Sequence, residues 1–247
     1  MGFGYLIDEE RELCYITGYI SDKTDIIIPD MIEGYKVTNI GINKNKNVIA
    51  PSFYGNEKIT SVIIPNNVKS IEYFEFNKCI NIKSIEIPDS VTQIGNNVFG
   101  ECRSLTKIDI PGSLAVITEG AFFNCSALDD VKLNEGVKII ENMVFQGCGM
   151  LENIELPESL EAIGKDAFRG CLSLEEIVIP SGIIYFGGTI FQGCDNLKSI
   201  YFTGDAPDVE YNPFADFMNP PTLYYREGTL GWDAPVWQNA KTAVWVE

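Results

Sequence analysis

The chain has 247 residues, long enough for one or two globular domains or one repeat array, and its hydrophobic fraction of 45% is ample for a core. Its 18 basic against 35 acidic residues leave a net charge of −17, which repels phosphate backbones and anionic lipid and argues against nucleic acid or membrane surfaces as partners. Histidine is absent, which removes His-based triads, His-ligated zinc and haem, and the commonest general base near neutral pH.

The N-terminal stretch MGFGYLIDEERELCYITGY lacks a basic n-region followed by an apolar h-region. Two readings stay open: a protein that is not exported, or one met without its leader. No apolar run of about 18 residues occurs, so no membrane insertion is expected. Val37 and Ile40 introduce a V-x-x-I step that recurs later, and Cys14 reads as core of this first segment. Phe53 then follows Ile40 by 13 residues, whereas Phe76 follows Ile71 by 5, so eight residues are inserted within Ile42–Ser52. That Asn/Lys-rich stretch reads as a protruding loop, either a tolerated surface insertion or a ligand-contacting one. Residues 1–55 are taken as an N-terminal capping segment with this loop.

From there to residue 202 the chain repeats. Cysteines stand at Cys79, Cys102, Cys125, Cys148, Cys171 and Cys194, each 23 residues after the last. Phe53, Phe76, Phe99, Phe122, Phe145, Phe168 and Phe191 keep the same step. In the unit CRSLTKIDIPGSLAVITEGAFFN (Cys102–Asn124), Leu105, Ile108, Ile110, Leu114 and Ile117 head further apolar columns. The L-x-x-I-x-I part alternates like a strand with one buried face. Proline then removes a ladder donor and ends it. The V-x-x-I part returns along the other side, and A-F-x-x-C reads as a short turn or single helical turn that plugs Phe into the core. One unit cannot bury its apolar face alone, so the units stack, about 4.8 Å per rung, into one continuous core.

After Phe202 the period dissolves, and Asp205–Pro221, with Pro207, Pro213, Pro220 and Pro221, is expected to be irregular. Residues 203–247 are taken as a C-terminal cap, with Tyr224, Tyr225, Trp232, Trp237 and Trp245 covering the last rung or forming a stacking platform for sugar or peptide. The whole reads as one structural domain.

The pattern C-x-x-L-x-x-I-x-I-P-x-S-V-x-x-I-G-x-x-x-F, seen closely at Cys79–Phe99, resembles the BspA-like leucine-rich repeats of the Treponema pallidum type, over roughly residues 25–232. Thr24–Gly41 looks like that family's entry segment and Thr222–Trp232 like its closing segment. The resemblance implies a bacterial, secreted or surface-displayed, non-enzymatic binding module, with adhesion to host or matrix proteins as the usual role.

Candidate sites follow from the repeat. Disulfides need suitable Cβ directions, and a metal needs thiolates gathered round one ion; a column of in-register cysteines offers neither, so free, buried, structural thiols are expected. Asn56 holds the cysteine position in the first full repeat. Outward strand positions are Ile63, Glu86, Asp109, Lys132, Glu155, Val178 and Tyr201, flanked by Asp129, Asp130, Glu152, Glu175 and Glu176. This acidic patch is a solvated surface, a site for a basic peptide or protein, or a calcium site, although no D-x-D-x-D-G loop is present. Glycosidase chemistry is disfavoured because a regular ladder supplies no cleft with one desolvated acid, and no P-loop is present.

The expected architecture is an α/β repeat: a curved, right-handed leucine-rich-repeat solenoid of about seven 23-residue rungs plus caps. Its short parallel strands would line the concave face, with coil and short helical turns outside. The expected function is binding of a protein or glycan through the inner-face residues Glu86, Asp109, Asp129, Asp130, Glu152, Glu155, Glu175, Glu176 and Tyr201, by a monomer without cofactor, metal or catalytic residue. A structural spacer with no ligand of its own is the second reading.

Overall fold

Ile108 and Ile110 are buried while Lys107 and Asp109 between them are exposed, the alternation that makes L-x-x-I-x-I a strand. Stacking such strands gives a parallel ladder whose partners lie 23 residues apart, as Ile108 with Val131 and Ile177 with Ile200. The structure, a computed structural model, describes residues 2–41, 52–209, 211–214, 217–232 and 235–245. The insertion at Ile42–Ser52 falls outside these residues except for Ser52.

The long ladder runs through Asp25–Ile27, Ser61–Ile63, Ser84–Glu86, Lys107–Ile110 and Asp130–Leu133. A single bridge joins Lys132 to Glu155. The ladder resumes in Glu176–Ile179, Ser199–Phe202, Thr222–Tyr225 and Ala240–Val244. A second ladder is built from the V-x-x-I step. It passes through Tyr35–Ile40, Ser70–Ile71 and Gln93–Ile94, then Val116–Ile117, Ile139–Ile140, Ala162–Ile163, Tyr185–Phe186 and Asp208–Val209. The antiparallel hairpin of Phe3–Asp8 and Leu13–Tyr19 extends it at the N-terminal end. Gly164 follows the second-ladder isoleucine because a Cβ there would lie 2.6 Å from Asn142 N; only hydrogen fits between rungs.

A third side closes each turn. The N–H groups of Phe74, Phe76 and Lys78 donate to Asn96, Val98 and Gly100 of the next rung, and the same bonds recur one step on. This corner holds two left-handed residues four apart. One set is Phe74, Asn97, Gly120, Met143, Asp166 and Thr189; the other includes Lys78, Glu101, Asn124 and Gly147. A right-handed helix cannot run through them, and the corner amides are spent between rungs instead of along a helix. The α/β description is therefore corrected: among the described residues there is no helix, and the chain is a parallel-strand β-solenoid of about nine turns instead of seven. Nor is any helix there long and apolar enough to cross a membrane.

The 23-residue step also outlasts Phe202, where the prolines suggest its end. Thr222–Tyr225 pairs with Ser199–Phe202 and Asp208–Val209 with Tyr185–Phe186 in the same register. Phe214 is buried 23 residues after Phe191. The prolines lie in the connections between these strands, where they cost no ladder bond.

The core is a column of stacked rings. Successive phenylalanines from Phe53 to Phe191 lie 4.7 to 5.8 Å apart, their planes within 18° of parallel. Tyr19 and Phe3 close its N-terminal end. All seven cysteines are free and buried. Each column thiol donates to the carbonyl of the phenylalanine 26 residues earlier, as Cys125 Sγ to Phe99 O at 3.2 Å and Cys194 Sγ to Phe168 O at 3.0 Å. Burial pushes the thiols of Cys79 and Cys148 up to about 12, which keeps them protonated donors and poor nucleophiles. Asn56 is half-buried and instead accepts the Lys58 N–H at 3.0 Å.

Candidate functional site

Side chains between the two buried residues of each long-ladder strand point to solvent, so they carry no packing duty. From the N-terminal end this outward column reads Ile27, Ile63, Glu86, Asp109, Lys132, Glu155, Val178, Tyr201 and Tyr224. It is apolar at its start, charged in the middle and aromatic at its end.

The structure distributes the predicted acids over two places on this face. Glu86 and Asp109 line a groove of about 750 Å³ with Lys107, Lys132 and Asn134. Glu152, Glu175 and Glu176 line a second depression of about 410 Å³ with Asn153, Ser173 and Asn196. Asp129 and Asp130 are exposed on the rung between, and Glu155 on the strand that carries the single bridge. The two clusters do not converge on one centre.

The patch is also less acidic than its sequence suggests. Lys107 Nζ lies 2.7 Å from Asp130, Lys132 Nζ 3.1 Å from Asp109, and Lys198 Nζ 2.8 Å from Glu175. Asn134 Nδ2 donates to the other Asp109 oxygen at 2.5 Å. Every one of these ion pairs joins positions one 23-residue step apart on neighbouring rungs. Exposed pairs contribute about 0–1 kcal/mol each; their effect here is to cancel charge. Among the described residues Glu86, Asp129, Glu152, Glu155 and Glu176 have no ion pair, so uncompensated negative charge is concentrated toward the later rungs.

Tyr201 stands next to that charge. It stacks on Tyr224 with centroids 4.9 Å apart and meets Trp245 at 5.2 Å, while the Arg226 guanidinium lies 5.2 Å from the Trp245 ring. The aromatic C-terminal segment is thereby divided. Trp232 and Trp237 are buried against Phe202 and cap the core; Tyr224 and Trp245 join Tyr201 on the outward face. The sequence assigned all of these aromatics together, yet Tyr224 is one 23-residue step after Tyr201 and was open to the same reading. No group of three or more Cys, Asp or Glu among the described residues is arranged to hold a metal ion. The face offers hydrogen-bonding carboxylates, aromatic edges and a shallow relief, suited to recognition over an area.

A family model described as the BspA type leucine-rich repeat region matches residues 46–152 and 127–221, in six copies. The chain is similar to a leucine rich cell surface protein from Faecalibacterium prausnitzii A2-165, at 26% identity and a TM-score of 0.71, over 92% of this chain and 64% of that one. It therefore spans less than two thirds of that protein's length. A leucine-rich repeat protein from Bacteroides ovatus ATCC 8483 shares the fold at 23% identity and a TM-score of 0.51, over 91% of this chain and 70% of the other. No curated protein matches the chain in sequence.

Proposed function

The chain belongs to the BspA-type leucine-rich repeat family, and from that premise we propose that it is a non-enzymatic binding module, displayed on a bacterial surface or secreted, that adheres to a host protein or glycan. The likeness to a cell surface protein of the same fold supports the location. The observation that carries the binding reading is the outward column. The buried columns stay apolar rung after rung, while the outward one changes from Ile63 through Glu86, Lys132 and Glu155 to Tyr201. A scaffold alone requires only that those positions be wet, and would not call for apolar and aromatic residues at both ends of a charged strip.

In this reading the solenoid is right-handed and curved, the long ladder lines its concave side, and the ligand lies across the rungs from Glu86 to Tyr201. Glu152, Glu155, Glu175 and Glu176 receive cationic groups, and Tyr201 supplies a ring edge and hydroxyl. The alternative is a spacer within a longer surface protein, favoured by the pairing of Asp109, Asp130 and Glu175 with lysines of neighbouring rungs, which suits a solubilising surface. The two differ on an array of matrix proteins, mucins and host glycans. The binding module retains a specific ligand in a salt-dependent manner, and the Glu155→Lys, Glu176→Lys double variant releases it. The spacer retains none.

A further inference from the structure

At its C-terminal end the long ladder finishes in the two-residue strand Val236–Trp237, antiparallel to Ala240–Val244 and with Trp237 buried on the core. At its other end it presents a parallel edge. Asp25–Ile27 is the terminal strand there and has a single neighbour, Ser61–Ile63. Thr24 O accepts from Thr60 N at 2.7 Å and Ile28 N donates to Ile63 O at 3.0 Å. Even-numbered residues thus face the neighbouring rung. Successive backbone groups of a strand point to opposite edges, so the N–H and C=O of Asp25 and Ile27 face away from the ladder, with no strand beside them among the described residues.

Proteins usually blunt such an edge with prolines, bulges or inward charge. Here Pro29 falls just past the strand, and the side chains beside the edge are apolar. Ile27 is 69% exposed and Ile20 is 87% exposed. A groove of about 280 Å³ runs along the free side, lined by Phe3, Tyr19, Ile27 and Pro29. Ile63 continues the apolar strip on the next rung. Around it lie Asp22, Asp25 and Asp30, with Lys23 in the groove wall; Asp22 is paired with Lys58 and Asp25 accepts from the Thr60 and Ser61 hydroxyls, which leaves the edge net negative on a chain of net charge −17.

We propose that the free edge of Asp25–Ile27 is a docking site for an extended basic peptide segment of a partner protein, which joins the long ladder as a further strand. The unpaired amides supply main-chain bonds, Ile27 and the groove take alternate apolar side chains, and the acids take flanking Lys or Arg. A second copy of this chain is disfavoured as occupant because it would bring the same acids face to face. The site is separate from the outward face of the later rungs and does not depend on it.

The test uses the intact chain and the labelled synthetic peptide KKVTITVKK. Saturable binding is expected, together with at least tenfold slower hydrogen exchange at the Asp25 and Ile27 amides. The peptide EEVTITVEE binds at least tenfold more weakly. Ile27→Pro removes an amide that no rung uses and abolishes binding while the unfolding midpoint stays within a few degrees. Ile27→Lys, exposed and compatible with a strand, does the same should the proline variant misfold. No binding of KKVTITVKK, or binding that leaves both amides unprotected or survives both variants, overturns the proposal. So does concentration-dependent self-association that protects these amides without peptide, which assigns the edge to a second copy.

Discussion

Glu75 offers the sharpest test of how the first rungs are held. Its side chain is buried, with the residue 3% exposed, and its Oε2 accepts the Ser52 N–H at 2.8 Å. Gly41 packs directly against the same carboxyl group, so Glu75 touches the residues on both sides of the insertion. Burial, more than the neighbouring Glu72 charge, pushes its carboxyl up to about 7 from an ordinary 4.5, against the lowering pull of Ser52. Between those values the native state holds a proton that the unfolded chain has released. Stability from this group is therefore complete below about 4.5, falls as pH rises through the window, and is lost above about 7. At about 1.4 kcal/mol for each pH unit of the interval, ionised Glu75 destabilises the fold by about 3 kcal/mol. Glu75→Gln keeps an acceptor for Ser52 and removes the titration. Urea unfolding at pH steps from 4 to 8 should find the variant equal to wild type at pH 4 and about 3 kcal/mol more stable at pH 8. A difference that stays constant with pH would refute the reasoning.

Phe122 stacks between Phe99 at 5.4 Å and Phe145 at 5.7 Å and is fully buried, so Phe122→Ala should cost about 3–5 kcal/mol in chemical denaturation, against little for the exposed Phe74→Ala. Titration with a thiol reagent should find no reactive cysteine in the native chain and all seven after denaturation without reductant; fewer than five would contradict free structural thiols. Glu101 is held at φ 57°, a left-handed conformation costing a non-glycine residue about 1 kcal/mol, so Glu101→Gly should raise stability by a few tenths of a kcal/mol or more in the same denaturation assay, where Gly164→Ala lowers it.

The buried half of this molecule is written in its sequence because burial repeats. Cys, Phe and the apolar columns recur at 23 residues since every rung meets the same neighbours, and the ion pairs Lys107–Asp130 and Lys132–Asp109 lie at that same interval. The corner was harder to read. Its left-handed positions are filled by Phe74, Asn97, Gly120, Met143, Asp166 and Thr189, with no common side chain, because neighbouring rungs impose the conformation through backbone bonds. Helical turns were expected where strand-like cross-rung bonding occurs. Past Phe202 the register persists in Val209, Phe214 and Leu223, hidden by the prolines between them. The outward face is legible only as positions: Glu155 and Tyr201 could be placed on it, but the ligand leaves no periodic trace.

The claim that this face, and not surface charge in general, recognises the ligand is tested by comparing two double variants of identical charge change. Glu155→Lys, Glu176→Lys alters the outward column and its flank; Glu9→Lys, Glu10→Lys alters the exposed turn of the N-terminal hairpin. With the ligand retained on the array, surface plasmon resonance at fixed salt should show at least a tenfold loss of affinity for the first and less than twofold change for the second. Equal losses, or none in either, would contradict it.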